Sequence, residues 1–256
     1  MQCGNCGSLQ TERPYWLDEC YGTSNIAATD MGTFTRAINN LSRVWLSLHI
    51  IGGFRGARIV DYGGGGGLLC RMLRDFGYDA RLYDRYAVNE HARGFTDPGD
   101  RPDVMCSFEV AEHFPDPSAG MAEILGRGAR LCIVGTETYG NAGPEWDYLV
   151  PLTGQHVFFY SHKGMQLLAG RHGYHYERVG ALHYFLERPL SRLRGALLWR
   201  AVRWERLRWT RAYLMFTMTY AHSDADQAAV LRRAARDSGA DGPTAALPAA
   251  GRRAEV

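Results

Sequence analysis

The sequence is poor in lysine, in net charge and in long apolar runs. Lys163 is the only lysine among 29 basic residues, and a formal net charge of +2 is too small to indicate a nucleic-acid partner. No run approaches the ~20 apolar residues of a membrane span, and no apolar signal-peptide segment follows Met1. Six cysteines in 256 residues do not indicate a disulfide framework. We therefore expect a cytoplasmic protein.

Glycine, in contrast, is plentiful, and five of the 30 glycines form one uninterrupted stretch, Gly63–Gly67, around which the chain is organised. A short apolar strand is predicted over residues 58–60, and it runs into Asp61 and then into the five glycines. The helix predicted after them has apolar residues at helical spacing, namely Leu68, Leu69, Met72, Leu73 and Phe76. Glycine allows φ > 0 and lets a ligand approach the backbone, while the helix N-terminus offers N–H groups to a carboxylate. This arrangement predicts a cofactor site.

Two classes of cofactor-binding protein use such a glycine loop. The dinucleotide fingerprint needs a small residue at its third glycine position, which here falls on Leu68 or Leu69. The alternative pattern, an acid followed by three alternating glycines, is matched throughout by Asp61, Gly63, Gly65 and Gly67. This stretch resembles motif I of the class I S-adenosylmethionine-dependent methyltransferases. The resemblance implies that these four residues bind the cofactor, with the glycines facing its methionine part.

A second acidic residue follows the next predicted strand, over residues 80–84. A carboxylate about 20 residues past a glycine loop lies at the tip of the neighbouring strand, where it accepts hydrogen bonds from ribose hydroxyls. Asp84 has this spacing from Asp61. We therefore predict that Asp84 binds the ribose and that Tyr86 packs on the adenine.

A second block follows the strand predicted over residues 103–108. Phe108 and Glu109 stand at its carboxyl end, the ligand-binding edge of an open parallel sheet, and Glu112-His113 come next. The block resembles the segment after strand four in ubiquinone-biosynthesis O-methyltransferases. The resemblance implies that Phe108 and Glu109 lie at the sulfonium end of the cofactor, and that His113 is a candidate base.

A third block supplies the acceptor-site predictions. Trp146 leads to a Gly-Gln-His-x-x-Phe-Tyr segment that contains His156 and ends at Tyr160, and it resembles a branch of bacterial methyltransferases. Histidine titrates near neutral pH, so His156 is the first candidate for the base that removes a proton from the acceptor. Tyr139, at the exit of the fifth strand, Trp146 and Tyr160 are predicted to contact the acceptor.

The first 52 residues are predicted to form an N-terminal appendage with a lid helix over residues 31–52. Cys3 and Cys6 make a C-x-x-C turn that resembles half of a zinc knuckle, with Cys20 as a third candidate ligand. A closed zinc site needs four ligands, usually from two such turns, and the second turn is missing. We therefore interpret residues 3–20 as a zinc-knuckle remnant and predict no metal.

The order of strands and helices predicts an α/β fold, a Rossmann-like open sheet that is mostly parallel, with a closing antiparallel strand and helices on both faces. After the appendage, residues 53–188 are predicted to form the cofactor-binding core and residues 239–256 a disordered tail. Between them, residues 189–238 are predicted to form a basic amphipathic helical extension. Its arginine- and tryptophan-rich part, residues 189–213, either docks on the domain, which we favour, or contacts a membrane surface, or binds an anionic or lipid-linked acceptor.

Together the three blocks predict a methyltransferase that uses S-adenosylmethionine and moves a methyl group to a hydroxyl, or to a nitrogen or carbon, of a small molecule or glycan. Two alternatives stay open. The first is a catalytically silent methyltransferase-like scaffold or membrane-associated partner. The second is an NAD-linked oxidoreductase, which the leucines at the third glycine position oppose.

Overall fold

The computed structural model describes residues 1–23, 32–151, 153–203, 206–218 and 220–237. The strands are β1 (Leu9–Gln10), β2 (Arg58–Tyr62), β3 (Asp79–Tyr83), β4 (Val104–Phe108), β5 (Leu131–Gly135), β6 (Phe158–Phe159), β7 (His175–Val179) and β8 (Leu182–Leu186). Six of them form one sheet in the order β3-β2-β4-β5-β8-β7, in which β3, β2, β4 and β5 are parallel. Strand β8 is antiparallel to both β5 and β7. The predicted fold class is confirmed.

The helices of the described residues are α1 (Leu17–Thr23), α2 (Thr33–Ile51), α3 (Leu68–Asp75), α4 (Pro117–Leu125), α5 (His162–Arg171), α6 (Arg192–Arg203), α7 (Arg206–Thr217) and α8 (Ser223–Asp237). Two short 3-10 turns, Ala111–His113 and Asp147–Leu149, lie in the connections at the carboxyl edge of the sheet. The lid helix predicted over residues 31–52 corresponds to α2.

Helices cover both faces of the sheet, as the sequence predicts. Successive side chains of a strand point to opposite faces, so Ile59 and Ile133 enter one hydrophobic cluster while Val60 and Val134 enter the other. The first cluster packs against α2, α3, α6 and α7, and the second against α4 and α5. Burial on both faces explains why the central strands are continuous apolar runs instead of alternating ones.

The C-terminal helices dock on the domain. Leu198, Val202 and Leu214 are buried in the same cluster as α2, while Trp209 and Phe216 remain largely exposed. Docking, the interpretation favoured for residues 189–213, therefore describes this segment, and membrane contact stays a prediction. The described part of the chain contains no helix that is both long and apolar enough to cross a membrane. The predicted tail, residues 239–256, lies outside the described residues.

The N-terminal residues form a small two-stranded sheet in which β1 pairs with β6. Ser161 donates to the carbonyl oxygen of Cys6, so the C-x-x-C turn packs against the start of α5. Cys20 lies elsewhere, on α1, with its sulfur close to Gly154. Among the described residues, Cys3, Cys6 and Cys20 do not form a metal-ligand cluster.

Candidate active site

The glycine loop joins β2 to α3 at the carboxyl edge of the sheet. Gly63, Gly65 and Gly67 all have positive φ, of 70°, 57° and 84°, which explains the alternating pattern because other residues rarely adopt this region. A Cβ at Gly63 would lie 2.5 Å from a methyl group of Val110. A Cβ at Gly65 would meet no described atom within 4 Å. The backbone is therefore tightly packed at Gly63 and open to a ligand at Gly65.

Asp84 holds the loop from the neighbouring strand. Its Oδ2 accepts a hydrogen bond from the backbone N–H of Gly65 at 2.8 Å. Its Oδ1 accepts from the N–H groups of Tyr86 and Ala87 at 2.9 and 2.8 Å. Because β2 and β3 are parallel neighbours, the carboxylate and the glycines meet at one edge, as the spacing predicts. The carboxylate can accept a further hydrogen bond, since its four lone pairs are only partly used.

Asp61 lies beneath the glycine loop, and it does not line the cleft beside that loop. A Cβ at Gly64 would stand 2.3 Å from Asp61 Oδ2, so only glycine fits above the carboxylate. Among the described residues Asp61 Oδ2 has no hydrogen-bond partner. Burial raises the pKa of Asp61 to about 7. The acid of the motif therefore supports the loop from below.

A cleft of about 960 Å³ opens beside the loop. Its floor and walls come from the ends of β2, β3 and β4 and from the start of α4, and α1 covers one side. The lining includes Leu17, Asp18, Tyr21, Tyr62, Gly63, Tyr83, Asp84, Tyr86, Glu109, Val110, His113, Phe114 and Glu123. The volume is within the range of small-molecule sites. The ring of Tyr21 on α1 stacks on that of Tyr86 with centroids 4.6 Å apart, a lid contact that the sequence did not reveal.

Two glutamates stand at the exit of β4. Glu109 lines the cleft with a φ of 55°, a strained conformation for a residue other than glycine. Glu112 is fully buried behind it. The hydroxyl of Tyr148 donates to Glu112 Oε1 at 2.6 Å and lies 3.4 Å from Glu109 Oε2. Burial, together with the charge of Glu112, raises the pKa of Glu109 to about 7.

The two predicted histidines lie against these glutamates. His113 and His156 are stacked edge to face with ring centroids 5.0 Å apart. Nδ1 of His113 is 3.0 Å from the carbonyl oxygen of Gln155, and Nδ1 of His156 is 2.7 Å from that of Tyr148. His156 Nε2 is 3.9 Å from Glu112 Oε1. Burial lowers the pKa of His113, which lines the cleft, whereas His156 is not among the lining residues.

The other predicted residues have different surroundings. Phe108 packs against Gly135 at the end of β4. Trp146 lies in an aromatic group, with centroids 5.9 Å from Tyr139 and 5.4 Å from Tyr148. Tyr160 is a core residue with 2% of its surface exposed, and it does not line the cleft.

The family model of a methyltransferase domain matches residues 33–179, which is more than half of the chain. The chain belongs to this methyltransferase family. It is a class I enzyme that uses S-adenosylmethionine. The ubiquinone-biosynthesis branch is not confirmed, so that part of the resemblance stays a prediction.

Three solved methyltransferase structures resemble this one at low sequence identity. Magnesium protoporphyrin IX methyltransferase ChlM from Synechocystis PCC 6803 is 16% identical over 68% of this chain and 95% of its own, with a TM-score of 0.44. The 1,6-didemethyltoxoflavin-N1-methyltransferase of Burkholderia thailandensis is 15% identical over 72% and 94%, with a TM-score of 0.49. Mitomycin 7-O-methyltransferase MmcR is 19% identical over 66% and 59%, with a TM-score of 0.43. No curated protein matches the chain.

The residues of this methyltransferase fit S-adenosylmethionine. The open space at Gly65 lets a ligand approach the loop backbone, and Asp84 presents a carboxylate at the adjacent strand tip. Tyr62 and Tyr83 line the cleft with stacked rings, and Glu109 places an acid where β4 ends. Aromatic faces and a carboxylate are suitable neighbours for a positively charged sulfonium.

Proposed function

We propose that the enzyme methylates a hydroxyl oxygen of a small molecule or of a sugar residue. The observation that carries this proposal is the cleft of about 960 Å³, which has the glycine loop on one wall and Glu109 and His113 on the other. The volume is at the upper end of the range for small-molecule sites and leaves room for the cofactor with one small acceptor.

On the cofactor side, S-adenosylmethionine supplies an electrophilic methyl group on a positively charged sulfonium. The backbone of Gly63–Gly67 would face its methionine part, and Asp84 would accept hydrogen bonds from its ribose hydroxyls. Phe108 and Glu109 would stand at its sulfur end, because they terminate β4 at the same edge of the sheet.

On the acceptor side, a hydroxyl must lose its proton as its oxygen forms the new bond to the methyl carbon and the carbon–sulfur bond breaks. A carbonyl oxygen can only accept, so Nδ1 of His113 carries the hydrogen toward Gln155, and Nε2 keeps a lone pair. The lowered pKa keeps this imidazole neutral near pH 7. We assign His113 as the base that faces the cleft and His156 as its positioning neighbour. A nitrogen or carbon acceptor is the second candidate, because a neutral imidazole at the cleft is the kind of base that removes the proton of a hydroxyl.

Cofactor binding is tested first, by calorimetric titration with S-adenosylmethionine and, in parallel, with NAD. We expect the first alone to bind, and Asp84→Ala to weaken its binding by about 10- to 100-fold, since hydrogen bonds to a charged group contribute ~1.5–3 kcal/mol. Asp100→Ala is the control, because Asp100 is exposed and pairs with Arg58. Unchanged affinity in Asp84→Ala would remove Asp84 from the site.

Acceptor chemistry is tested with labelled methyl groups against a panel of phenols, sugars and amines. Once an acceptor is found, single-turnover rates of His113→Gln and His156→Gln are compared with those of His172→Gln, a histidine at the end of α5. We expect losses of about 10²–10⁴-fold for the base. Methylation of amines alone, at undiminished rate in His113→Gln, would contradict the hydroxyl assignment.

A further inference from the structure

Two histidines and a buried glutamate next to the cleft form a group of side chains of the kind that binds metal ions. We propose that Glu112, His113 and His156 bind one divalent cation of the first transition row, and that this cation holds the acceptor oxygen. The second half rests on the proposed function, whereas the first half concerns the protein alone.

The three residues are already gathered. One ligand atom from each of Glu112, His113 and His156 lies within 4.8 Å of those of the other two. A single metal ion with bonds of about 2.0–2.2 Å to nitrogen and oxygen holds ligand atoms at most ~4.4 Å apart, so a small rotation of the side chains brings all three within reach of one ion. The 3-10 turn Ala111–His113 supplies two of the ligands, and the segment before β6 supplies the third.

His156 points Nε2 toward Glu112 Oε1 at 3.9 Å, and His113 supplies a ring nitrogen to the same cluster. Each Nδ1 lies at hydrogen-bond distance from a backbone carbonyl oxygen, of Gln155 for His113 and of Tyr148 for His156. A carbonyl oxygen only accepts, so each Nδ1 carries the hydrogen and each Nε2 is unprotonated. Metal-binding histidines are oriented in this way, with the other ring nitrogen donating to a carbonyl or carboxylate.

Glu112 supplies the independent observation. Its side chain is fully buried, and Oε2 has no hydrogen-bond partner among the described residues. The other oxygen, Oε1, accepts from the hydroxyl of Tyr148 at 2.6 Å, and the carboxyl of Glu109 lies beside this carboxylate. An unpaired buried carboxylate oxygen is costly, and two imidazole lone pairs cannot donate to it. A cation satisfies all three acceptors at once.

The ligand chemistry indicates the kind of cation. Two imidazoles and one carboxylate on one side of an ion leave other positions open, and this set suits first-row divalent metals such as Mn²⁺, Fe²⁺ or Zn²⁺. Glu109 adds a second carboxylate next to the first and lines the cleft together with His113. Of the three ligands His113 lines the cleft, so in this proposal an open position of the cation is reached from the cleft beside His113 and Glu109.

The cation changes the acceptor step as follows. The acceptor hydroxyl binds it through oxygen and loses its proton to solvent water, because the imidazoles are occupied as ligands. The oxygen then forms its bond to the methyl carbon while the carbon–sulfur bond breaks, which leaves S-adenosylhomocysteine. Metal coordination lowers the pKa of a bound hydroxyl, so the bound cation takes over from His113 the activation of the acceptor, and His113 acts as the base only when the cation is absent.

The experiment titrates the metal-stripped full chain with Mn²⁺ and follows free Mn²⁺ by electron paramagnetic resonance. We expect one tight site per chain, at least about tenfold weaker binding in Glu112→Gln and His156→Gln, and nitrogen coupling from imidazole in the spin-echo spectrum of the bound ion. Glu123→Gln is the matched control, because Glu123 lines the same cleft outside the cluster. Circular dichroism verifies that each variant folds.

The proposal is overturned if the unaltered chain does not bind Mn²⁺, or if the bound ion shows no nitrogen coupling. Both outcomes are measured on the unaltered chain, so they hold even if both variants fail to fold. Binding that Glu112→Gln leaves unchanged also overturns the proposal. Calorimetry with S-adenosylmethionine on the same metal-stripped protein separates the two proposals. Cofactor binding without Mn²⁺ binding contradicts only the metal site, and Mn²⁺ binding without cofactor binding contradicts only the proposed function. Methylation at full rate in the metal-stripped protein overturns the second half and returns the acceptor step to His113.

Discussion

At the scale of single residues, the glycine loop contains a matched pair. Gly63 has a φ of 70° and a Cβ there would stand 2.5 Å from Val110, whereas Gly66 has no positive φ and the nearest atom to its Cβ would be 3.5 Å away. We expect Gly63→Ala to lower the free energy of unfolding by about 1–2 kcal/mol or more, through the left-handed backbone and the overlap with Val110. Gly66→Ala should stay within about 0.5 kcal/mol of the unaltered chain. Urea unfolding measures both, and equal effects would mean that the loop rearranges.

A second residue-scale prediction concerns pH. His183 is buried, and its Nε2 lies 3.1 Å from the carbonyl oxygen of Thr136 while Nδ1 lies 2.7 Å from the hydroxyl of Tyr176. Nε2 must donate and Nδ1 must accept, so the neutral ring is fully paired. Burial lowers the pKa of His183 from 6.5 to about 4.

Between pH 6.5 and about 4, His183 is therefore mostly protonated in the unfolded chain and mostly neutral in the folded chain. This group stabilises the fold above pH 6.5, and its contribution, about 3 kcal/mol, is lost as the pH falls to about 4. Asp61 acts in the opposite direction, because its pKa is raised to about 7. The difference between the unaltered chain and His183→Gln isolates the effect.

Urea unfolding at pH values between 4 and 7 measures this difference. His183→Gln should show a smaller loss of stability on acidification, since glutamine can keep both hydrogen bonds but cannot bind a proton. His175→Gln, an exposed position on the adjacent strand β7, should follow the unaltered chain. Parallel pH curves for all three proteins would contradict the assignment of a neutral, buried His183.

At the scale of elements, α1 is tied to the far side of the cleft. Trp16 donates from Nε1 to the carbonyl oxygen of Gly154 at 2.7 Å, and Gln155 donates from Nε2 to that of Cys20 at 3.3 Å. Tyr21 then stacks on Tyr86 next to the predicted ribose ligand. The helix and the residue before it therefore connect the segment that precedes β6 with the segment that follows β3.

We expect Tyr21→Ala to weaken binding of S-adenosylmethionine by about 2- to 10-fold, because an aromatic pair contributes ~0.5–1.5 kcal/mol. Tyr15→Ala is the control, since Tyr15 is 80% exposed and touches Trp16 outside the cleft. Calorimetry on the three proteins decides. Equal affinities would mean that the lid does not respond to the cofactor.

Helix α8 is fixed to α3 by a buried charge cluster. Asp226 accepts from Arg71 at 2.7 Å and from two nitrogens of Arg74 at 2.6 and 2.7 Å. Breaking a buried ion pair leaves an uncompensated charge, so Asp226→Asn should lower the free energy of unfolding by about 3 kcal/mol. Asp224→Asn, two residues earlier on the exposed side of the same helix, should have little effect. Thermal unfolding tests both, and a shift of equal size in the two variants would indicate a general helix effect.

At the scale of the whole molecule, local patterns predicted one half of the site and not the other. The loop from Asp61 to Gly67 and the position of Asp84 depend on backbone φ and on strand spacing, which the sequence carries directly. Glu112 and Tyr148 meet only because an irregular segment folds back over the end of β4. No local spacing encodes that contact, and Glu112 could be recognised only by its proximity to Glu109.

The same distinction applies to the rest of the chain. The parallel strands follow from apolar runs separated by helices, and the two-sided core follows from their burial. The buried charge cluster of Asp226 with α3 joins residues far apart in the chain. The sequence does not predict it, because polar residues on two amphipathic helices do not specify which helices pack together. Tyr160 belongs to a sequence motif but is buried in the core, because a motif does not distinguish an aromatic residue that packs from one that contacts a ligand.

Binding of the cofactor should raise the thermal stability of the whole molecule. Loop, Asp84 and lid come from three separate elements, so a ligand that contacts all of them binds the folded chain and not the unfolded one. At a concentration of ~100 times Kd such a ligand adds about 2.7 kcal/mol to the free energy of unfolding, which for a chain of this size raises Tm by about 5–10 °C. We expect S-adenosylmethionine to produce this shift in a thermal scan and NAD at the same concentration to produce none. In Asp84→Ala the shift should shrink at a fixed cofactor concentration, because the occupied fraction falls. An equal shift with NAD would show that the glycine loop does not discriminate between the two cofactor classes, in spite of its two leucines.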